Sequence, residues 1–236
     1  TEVENDSVMH DLTRRSLLRG AGYDYVMTSG PDLRGIDVAL MFSPYAFRLI
    51  NNHAIRITPP AGFHPTRDIL YASGELISGD TLHVFALHAP SRRGGEAATR
   101  PYRIRVAQRL AEEIDSVRHR NRHPLILVAG DFNDYTGDAP LQFLEARGMG
   151  DVSVKATGRH GARGTYRYHG VWASLDHVLC NAALTAHLGG CYVNDKPFLL
   201  ADDEKFGGKK PRRNYLGPKY LNGYSDHLPL VALFSF

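Results

Sequence analysis

The sequence lacks a long apolar run and is poor in cysteine. No stretch of its 236 residues approaches the about 20 apolar residues that a membrane-spanning helix needs, so we expect no transmembrane segment. The only cysteines are Cys180 and Cys191, whose spacing fits no metal-binding motif. Two free thiols and a disulfide between neighbouring strands both remain open for this pair.

Several catalytic motifs are also absent. The chain has no phosphate-binding glycine loop of the P-loop type and no serine in a nucleophile elbow, which argues against two large enzyme classes. The formal net charge is only +3, which permits a phosphate-bearing substrate without requiring one. There is no internal repeat and no low-complexity linker, so we expect one domain over residues 1–236, and a monomer.

Helical and strand-like patterns mix along the chain without strict alternation. The clearest helix is Pro101–Val117, whose apolar residues lie on one face opposite charged ones. Short apolar runs bounded by turn residues predict strands, among them Tyr23–Met27, Ile36–Phe42, Ile69–Leu76, Leu82–Leu87, Leu125–Ala129, Ser174–Cys180, Cys191–Val193 and Leu228–Phe236. This order predicts a mixed α/β fold of stacked layers with mostly antiparallel strands.

Polar side chains that can do chemistry cluster at the ends of these strands. The most informative stretch is Leu125–Asp134 (LILVAGDFND), where an apolar run stops at a glycine and Asp131 and Asn133 follow. Because side chains alternate along an extended chain, Asp131 and Asn133 should point the same way, with Phe132 turned back into the core. The other clusters near strand ends are His88, Asp176-His177 and Asp226-His227.

Strand ends that meet at one edge of a sheet make a polar pocket on a rigid base. The clustered side chains are rich in oxygen donors, which favours Mg²⁺ or Mn²⁺ over zinc. A histidine paired with an aspartate is also a suitable general base. Structural interpretations compete with this one. Asp131 and Asn133 could simply form an Asx-type turn, and His177 should point away from Asp176 and be structural.

The segment 194–224 stands apart as a long stretch poor in aliphatic residues after Leu200. Its basic run 209–213 has two interpretations. It is either a solvated charged loop or a lid that meets substrate phosphates, with Tyr215, Tyr220 or Tyr224 stacking on a ring.

Five short motifs resemble those of the endonuclease/exonuclease/phosphatase superfamily, which includes deoxyribonuclease I. The matching segments are Thr1–Asn5, Ala86–His88, Gly130–Asn133, Leu175–His177 and Ser225–Pro229. Each motif alone is weak, but five in the family's order are specific. Three further segments are similar to a bacterial subgroup whose substrates are mostly unassigned: Arg34–Asp37, Thr66–Asp68 and Gly207–Arg213.

The resemblance implies a fold and a reaction. The fold would be the four-layer α/β/β/α sandwich of two mostly antiparallel sheets seen in deoxyribonuclease I. The reaction would be Mg²⁺- or Mn²⁺-dependent hydrolysis of a phosphodiester or phosphomonoester by water. The substrate would be a nucleic acid or a lipid or small-molecule phosphoester. The competing hypothesis is a non-catalytic module that binds a phosphate ligand or nucleic acid on the same fold.

The resemblance also implies residue roles. Asp131 and Asn133 match the pair that orients the attacking water and contacts the scissile phosphate. His227 matches a general base or phosphate stabiliser oriented by Asp176, and His88 matches a transition-state stabiliser. The other implied roles are metal ligands at Glu2 and Asp226 and, less directly, phosphate contacts at Arg67 and Arg34. A local ion pair with Asp37 is the alternative for Arg34.

In this superfamily a strand normally precedes the glutamate motif, whereas this sequence starts at Thr1-Glu2. We therefore expect a domain that lacks its first strand, as a piece of a longer precursor. A signal peptide upstream would make the protein secreted or periplasmic, and the sequence leaves the compartment open.

Overall fold

The computed structural model describes residues 1–236. The helices are α1 (Asp6–His10), α2 (Glu96–Arg120), α3 (Ala139–Glu145) and α4 (Ala182–Thr185). The first strands are β1 (Asp24–Met27), β2 (Ala39–Phe42), β3 (Phe47–Ile55), β4 (Ile69–Leu76), β5 (Thr81–His88), β6 (Leu125–Asp131), β7 (Gly150–Asp151) and β8 (Tyr166–Tyr168). The remaining strands are β9 (Val171–Ala173), β10 (Asp176–Cys180), β11 (Leu188–Val193), β12 (Leu200–Asp202), β13 (Lys209–Pro211), β14 (Tyr215–Leu216), β15 (Lys219–Tyr220) and β16 (Leu230–Phe234).

The centre of the molecule is a six-stranded sheet with the order β3-β4-β5-β6-β10-β7. Neighbouring strands are antiparallel except β5 and β6, which are parallel and are joined through α2. Helix α2 begins before the predicted Pro101–Val117, and Pro101 lies inside it. The added first turn is mostly exposed, so it carries no apolar pattern that could have predicted it.

One face of the sheet packs against α2 and α3 and forms the main core. The sheet contributes Phe85, Leu87, Ile126 and Val128, and α2 contributes Val106, Leu110 and Ile114. Burial of each such side chain contributes about 1.5–3 kcal/mol. Phe132 lies in the same core, as predicted. This packing fixes the strands whose ends carry the polar residues.

The opposite face is covered by two separate antiparallel ladders, β1–β2 and β11–β16. Leu230 packs on β10 beside Val178, and Val26 packs beside Val84 of β5. The N-terminal helical segment lies against β1, where Arg14 donates to the carbonyl of Tyr23. The mixed α/β fold with mostly antiparallel strands is therefore confirmed, with two ladders on the second layer that are not hydrogen-bonded to each other.

Three small hairpins, β8–β9, β12–β13 and β14–β15, complete the fold.

The two cysteines are free thiols, and burial raises the pKa of Cys180 to about 12 and that of Cys191 to about 11. None of the helices combines the length and apolar character that a membrane span requires.

Candidate active site

The strand register brings three of the predicted residues into one row. His88 at the end of β5 pairs with Asp131 at the end of β6, and Asp131 pairs with Asp176 at the start of β10. Because directly paired residues point to the same face of a sheet, the three side chains lie side by side on the face away from α2. His88 Nε2 is 3.5 Å from Asp131 Oδ2.

His227 reaches this row from outside the sheet. Its backbone forms an isolated β-bridge with Tyr166, and its Nδ1 donates to Asp176 Oδ2 at 2.7 Å. Thr165 Oγ1 donates to the same oxygen at 2.6 Å. Asp131, Asp176 and His227 each offer a ligand atom within 4.8 Å of the others. The predicted histidine–aspartate pair is thus formed, with Asp131 beside it.

Asn133 is held in a turn built on Asp131. Its backbone N–H donates to Asp131 Oδ1 at 2.8 Å, and its side-chain amide donates to Asp131 Oδ2 at 3.2 Å and to the carbonyl of Ala89 at 3.1 Å. Asn133 has a φ of +52°, a left-handed conformation that asparagine tolerates better than most residues. The Asx-type turn predicted as the structural alternative is present, and both of its residues line the cavity.

Gly130 lets β6 lie close to β5 just before the site. It has a φ of +149°, and a Cβ here would lie 1.9 Å from the carbonyl oxygen of Leu87. A larger residue would force the two strands apart. The glycine that ends the apolar run is therefore required for the side-by-side placement of His88 and Asp131.

The site residues differ in their protonation. Burial raises the pKa of Asp131 to about 7, and the adjacent charge of Asp176 acts in the same direction. Burial lowers the pKa of His88 to about 2, with the charge of Arg67 adding to the effect, so His88 is neutral. Burial opposes a charge on His227, but the hydrogen bond to Asp176 and its charge prevail and raise the pKa of His227 to about 9. At pH 7, His227 is a charged donor, while Asp131 titrates near neutrality.

Arg67 does not line the cavity, contrary to its predicted contact with phosphate. Its side chain is only 4 % exposed. The guanidinium donates to the carbonyls of His88 and Ala89 and to Asp32, so all three nitrogens are engaged. Arg67 instead braces the loop after β5. Asp32 lies 35 residues away in the sequence, so local spacing could not identify the pairing.

Glu2, Arg34 and Asp226 line the cavity but are much more exposed than the row. Arg34 Nε lies 3.4 Å from Asp32 Oδ1, and its Nη1 lies 3.8 Å from Glu2 Oε1. The alternative ion pair of Arg34 with Asp37 is not formed. Asp226 accepts a hydrogen bond at 3.0 Å from Arg213, which belongs to the basic run 209–213.

The donor set suits a hard divalent cation. Glu2, Asp131, Asp176 and Asp226 all line the cavity, and carboxylate oxygens are the ligands that Mg²⁺ and Mn²⁺ prefer. A cation there would relieve the repulsion between Asp131 and Asp176 that contributes to the raised pKa of Asp131. The residues close enough to share one ion are Asp131, Asp176 and His227. The predicted ligands Glu2 and Asp226 are outside that group, and each lies beside an arginine.

The cavity has a volume of about 710 Å³ and includes residues to which the sequence assigned no role. These are Thr1, Ser91, Arg92, Arg93, Tyr135, Tyr166, Tyr168, Leu175 and Ser225. One signal was visible, the Tyr-Arg-Tyr alternation of β8, which places both tyrosines on one face of a strand. The two arginines follow no periodic pattern, so only the fold brings them to the cavity.

The 194–224 segment forms the hairpins β12–β13 and β14–β15. Lys209 of its basic run donates to an aspartate on the neighbouring strand at 2.7 Å. Tyr215 packs on Tyr220 with ring centroids 5.3 Å apart. None of the tyrosines predicted to stack on substrate lines the cavity. The predicted tyrosine stacking is therefore not placed in the cavity, while Arg213 of the basic run reaches the cavity edge through Asp226, and contact of the run with substrate phosphates stays a prediction.

His177 lies on the opposite face of β10, as predicted. Its Nδ1 is 2.8 Å from Asp151 Oδ2, and its Nε2 is 2.9 Å from the carbonyl oxygen of Asp134. The ring also packs edge-on against Phe132. His177 thus fastens the loop after β6 from behind the site.

Known proteins share this family and this fold. A family model described as the Endonuclease/Exonuclease/phosphatase family matches residues 1–235. A search of the curated proteins finds no match.

Three solved structures illustrate the structural likeness. An endonuclease/exonuclease/phosphatase family protein from Bacteroides thetaiotaomicron is 16 % identical with a TM-score of 0.67, covering 96 % of this chain and 79 % of that chain. A mannosyl-6-phosphatase from the same organism is 18 % identical with a TM-score of 0.66, covering 97 % and 82 %. The catalytic domain of human Nocturnin with a bound sulfate anion is 20 % identical with a TM-score of 0.61, covering 95 % and 76 %.

Proposed function

The chain belongs to the endonuclease/exonuclease/phosphatase family, and from that premise we propose that it is a divalent-metal-dependent hydrolase of phosphoesters. The observation that carries the proposal is the row of His88, Asp131 and Asp176 with His227 bonded to Asp176 in one cavity. A module that only binds phosphate has no chemical need for a carboxylate that titrates near pH 7 beside a charged histidine.

Asp131 would hold the attacking water and accept its proton. Its pKa of about 7 suits a general base at neutral pH. Asn133 would act by holding Asp131 in place, because its amide already donates to Asp131 and to the carbonyl of Ala89. This sharpens the role implied by the resemblance, in which Asn133 also contacts the phosphate.

The two histidines would stabilise negative charge on the phosphoryl oxygens. His227 is charged below its pKa of about 9, and its Nδ1 is held by Asp176, which leaves Nε2 to donate to the substrate. His88 is neutral and would donate through Nε2. Loss of one such donor typically lowers the rate by about 100-fold or more.

The carboxylates of the cavity would hold the metal ion. Glu2 and Asp226 are the ligands implied by the family resemblance, and Asp176 supplies a further oxygen in the same cavity. When bound, a divalent cation neutralises charge on the phosphoryl oxygens.

A substrate panel tests the proposal. The protein is assayed with Mg²⁺, Mn²⁺ and Ca²⁺ on an aryl phosphomonoester, an aryl phosphodiester and single-stranded DNA. We expect hydrolysis of at least one substrate that a chelator abolishes, and a loss of about 100-fold or more in kcat for Asp131→Asn. The matched control is Asp202→Asn, the same change at a carboxylate that is 78 % exposed and does not line the cavity, which should retain full activity.

The same panel discriminates the non-catalytic alternative. Binding of phosphate ligands without hydrolysis under any metal would favour the binding module. So would the absence of a rise in melting temperature with Mn²⁺ or Mg²⁺, since a ligand that binds only the folded state stabilises it. Steeply salt-dependent binding of DNA would favour a nuclease over an enzyme that acts on small phosphoesters.

A further inference from the structure

We propose that the hairpin β8–β9 forms a ring-binding wall of the cavity and selects phosphoesters that carry a ring attached to the phosphate. The inference rests on the proposed function and narrows its substrate class. The wall consists of Tyr166 and Tyr168, which line the same cavity as Asp131 and His227.

The two tyrosines of the wall belong to a continuous series of rings that starts at His227. The Tyr166 ring lies 4.9 Å from that of His227, and Tyr168 lies 6.4 Å from Tyr166 with the two planes 12° apart. His169 stacks on Tyr168 at 4.1 Å, and Phe206 stacks on His169 at 5.7 Å. Tyr168 is 63 % exposed, so much of its ring is free to contact a ligand.

The hairpin is held rigidly from behind. Alternation along β8 turns Arg167 away from the two tyrosines, and its guanidinium donates to the carbonyls of Gly170, Gly207 and Lys209. Arg167 also lies 3.2 Å from Asp203, and both side chains are 7 % exposed. These contacts tie β8–β9 to β12–β13, so the tyrosines are positioned before any ligand arrives, which lowers the entropic cost of binding.

The shape and charge of the cavity fit a ligand larger than phosphate. Its volume of about 710 Å³ is in the range of sites for whole small molecules. Arg34, Arg92 and Arg93 line it together with the tyrosines, and Arg92 is held at 2.7 Å by Asp138 and lies 4.2 Å above the Tyr135 ring. An anionic group can therefore be held by the arginines and histidines while a ring attached to it contacts the tyrosine wall.

Non-hydrolysable phosphonates test the wall without requiring turnover. Isothermal titration calorimetry with Mn²⁺ present would compare phenylphosphonate, cyclohexylphosphonate and ethylphosphonate on the wild type. Stacking on an aromatic side chain contributes about 1–3 kcal/mol, so we expect phenylphosphonate to bind about tenfold more tightly than ethylphosphonate. Tyr168→Ala should reduce this preference to about twofold or less, while Tyr168→Phe should keep it. Tyr215→Ala, at a tyrosine outside the cavity that is 55 % exposed, is the control and should keep the preference as well.

Equal affinity for phenylphosphonate and ethylphosphonate in the wild type would overturn the inference. A preference that persists in Tyr168→Ala would also overturn it. If cyclohexylphosphonate binds as tightly as phenylphosphonate, the wall accepts saturated rings such as sugars. If it binds like ethylphosphonate, the wall selects planar aromatic rings such as that of an aryl phosphate. A ring preference in the titrations without hydrolysis in the substrate panel would support the wall and reject the proposed function. Hydrolysis without a ring preference would support the proposed function and reject the wall.

Discussion

The two faces of β10 carry the same chemical pair in different surroundings. On the cavity face, His227 contacts Asp176 at 2.7 Å, with the side chains 25 % and 21 % exposed. On the helix face, His177 contacts Asp151 at 2.8 Å, with the side chains 1 % and 0 % exposed. The two contact distances are nearly equal, yet the first pair lines an open cavity and the second pair is fully buried.

The comparison of the two pairs shows that a histidine–aspartate contact does not by itself identify a catalytic residue. Both ring nitrogens of His177 have protein partners, so it has nothing left to offer a substrate. His227 uses only Nδ1 in its contact with Asp176 and lines the cavity. A reactive histidine is therefore distinguished from a structural one by its access to the cavity and by a ring nitrogen without a protein partner, and the length of its contact with aspartate does not distinguish the two.

The largest effect should come from breaking the cavity-side pair. We expect His227→Ala to lower kcat by about 100-fold to 1,000-fold, because it removes a charged donor to the phosphoryl oxygens. The free energy of unfolding should fall by less than the about 3 kcal/mol expected for a fully buried pair, since this pair is partly exposed. Steady-state kinetics and urea denaturation measure the two quantities. Activity within a few-fold of the wild type would remove His227 from the mechanism.

The helix-side pair should show the opposite pattern. Asp151→Ala leaves His177 buried without its charged partner, which costs about 3 kcal/mol of folding free energy. The fraction of protein that remains folded should keep kcat within a few-fold of the wild type, because Asp151 does not line the cavity. Urea denaturation with activity measured on the folded fraction checks both. A kcat loss as large as that of His227→Ala would mean that the two faces are not separable.

The pH profile should report only the cavity side. Asp131 must be deprotonated to act as the base, so kcat/KM should rise with pH, with a midpoint at about pH 7. A bound cation that reduces the pKa of this carboxylate would move that midpoint to a lower pH. His227 must be protonated as donor, so kcat/KM should fall above about 9. Asp176→Asn removes the charge that favours protonated His227, so the alkaline limb should move toward the ordinary histidine range near 6.5. An alkaline limb that does not move in this variant would separate His227 from that ionisation.

The smallest effect should come from an exposed contact of the same length. Lys209 contacts Asp202 at 2.7 Å, but the side chains are 48 % and 78 % exposed. Lys209→Ala should change the free energy of unfolding by less than about 1 kcal/mol and leave kcat unaltered, because solvent screens exposed pairs. A destabilisation near that of Asp151→Ala would show that contact length matters more than burial.

Local sequence signals predicted the row of the site well. Each row residue stands at the end of an apolar strand, and strand ends at one sheet edge must meet once the register is fixed. Alternation alone placed Phe132 in the core and His177 on the opposite face. These predictions succeeded because they depend on residues that are neighbours in the chain.

Features that depend on distant partners could not be predicted. Arg67 looked like a phosphate contact until the fold paired it with Asp32. Tyr215 was a candidate for stacking, whereas the tyrosines that line the cavity are Tyr135 and the two tyrosines of β8. The start of α2 was missed for a different reason, since its first turn is exposed and carries no apolar periodicity.

The register row has a consequence for how this protein can change. Side chains alternate along β10, so deleting one residue between His177 and Cys180 while Cys180 keeps its register would reverse the direction of every residue before the deletion. Asp176 would then turn toward Asp151 on the helix side, and His177 would turn toward His227 in the cavity, so neither histidine–aspartate pair could form. The spacing of β10 is thus intolerant of insertion and deletion, whereas the turns of the outer hairpins can vary in length as long as Tyr166 keeps its bridge to His227. New substrate preferences can therefore arise in those hairpins while the reacting groups stay in register.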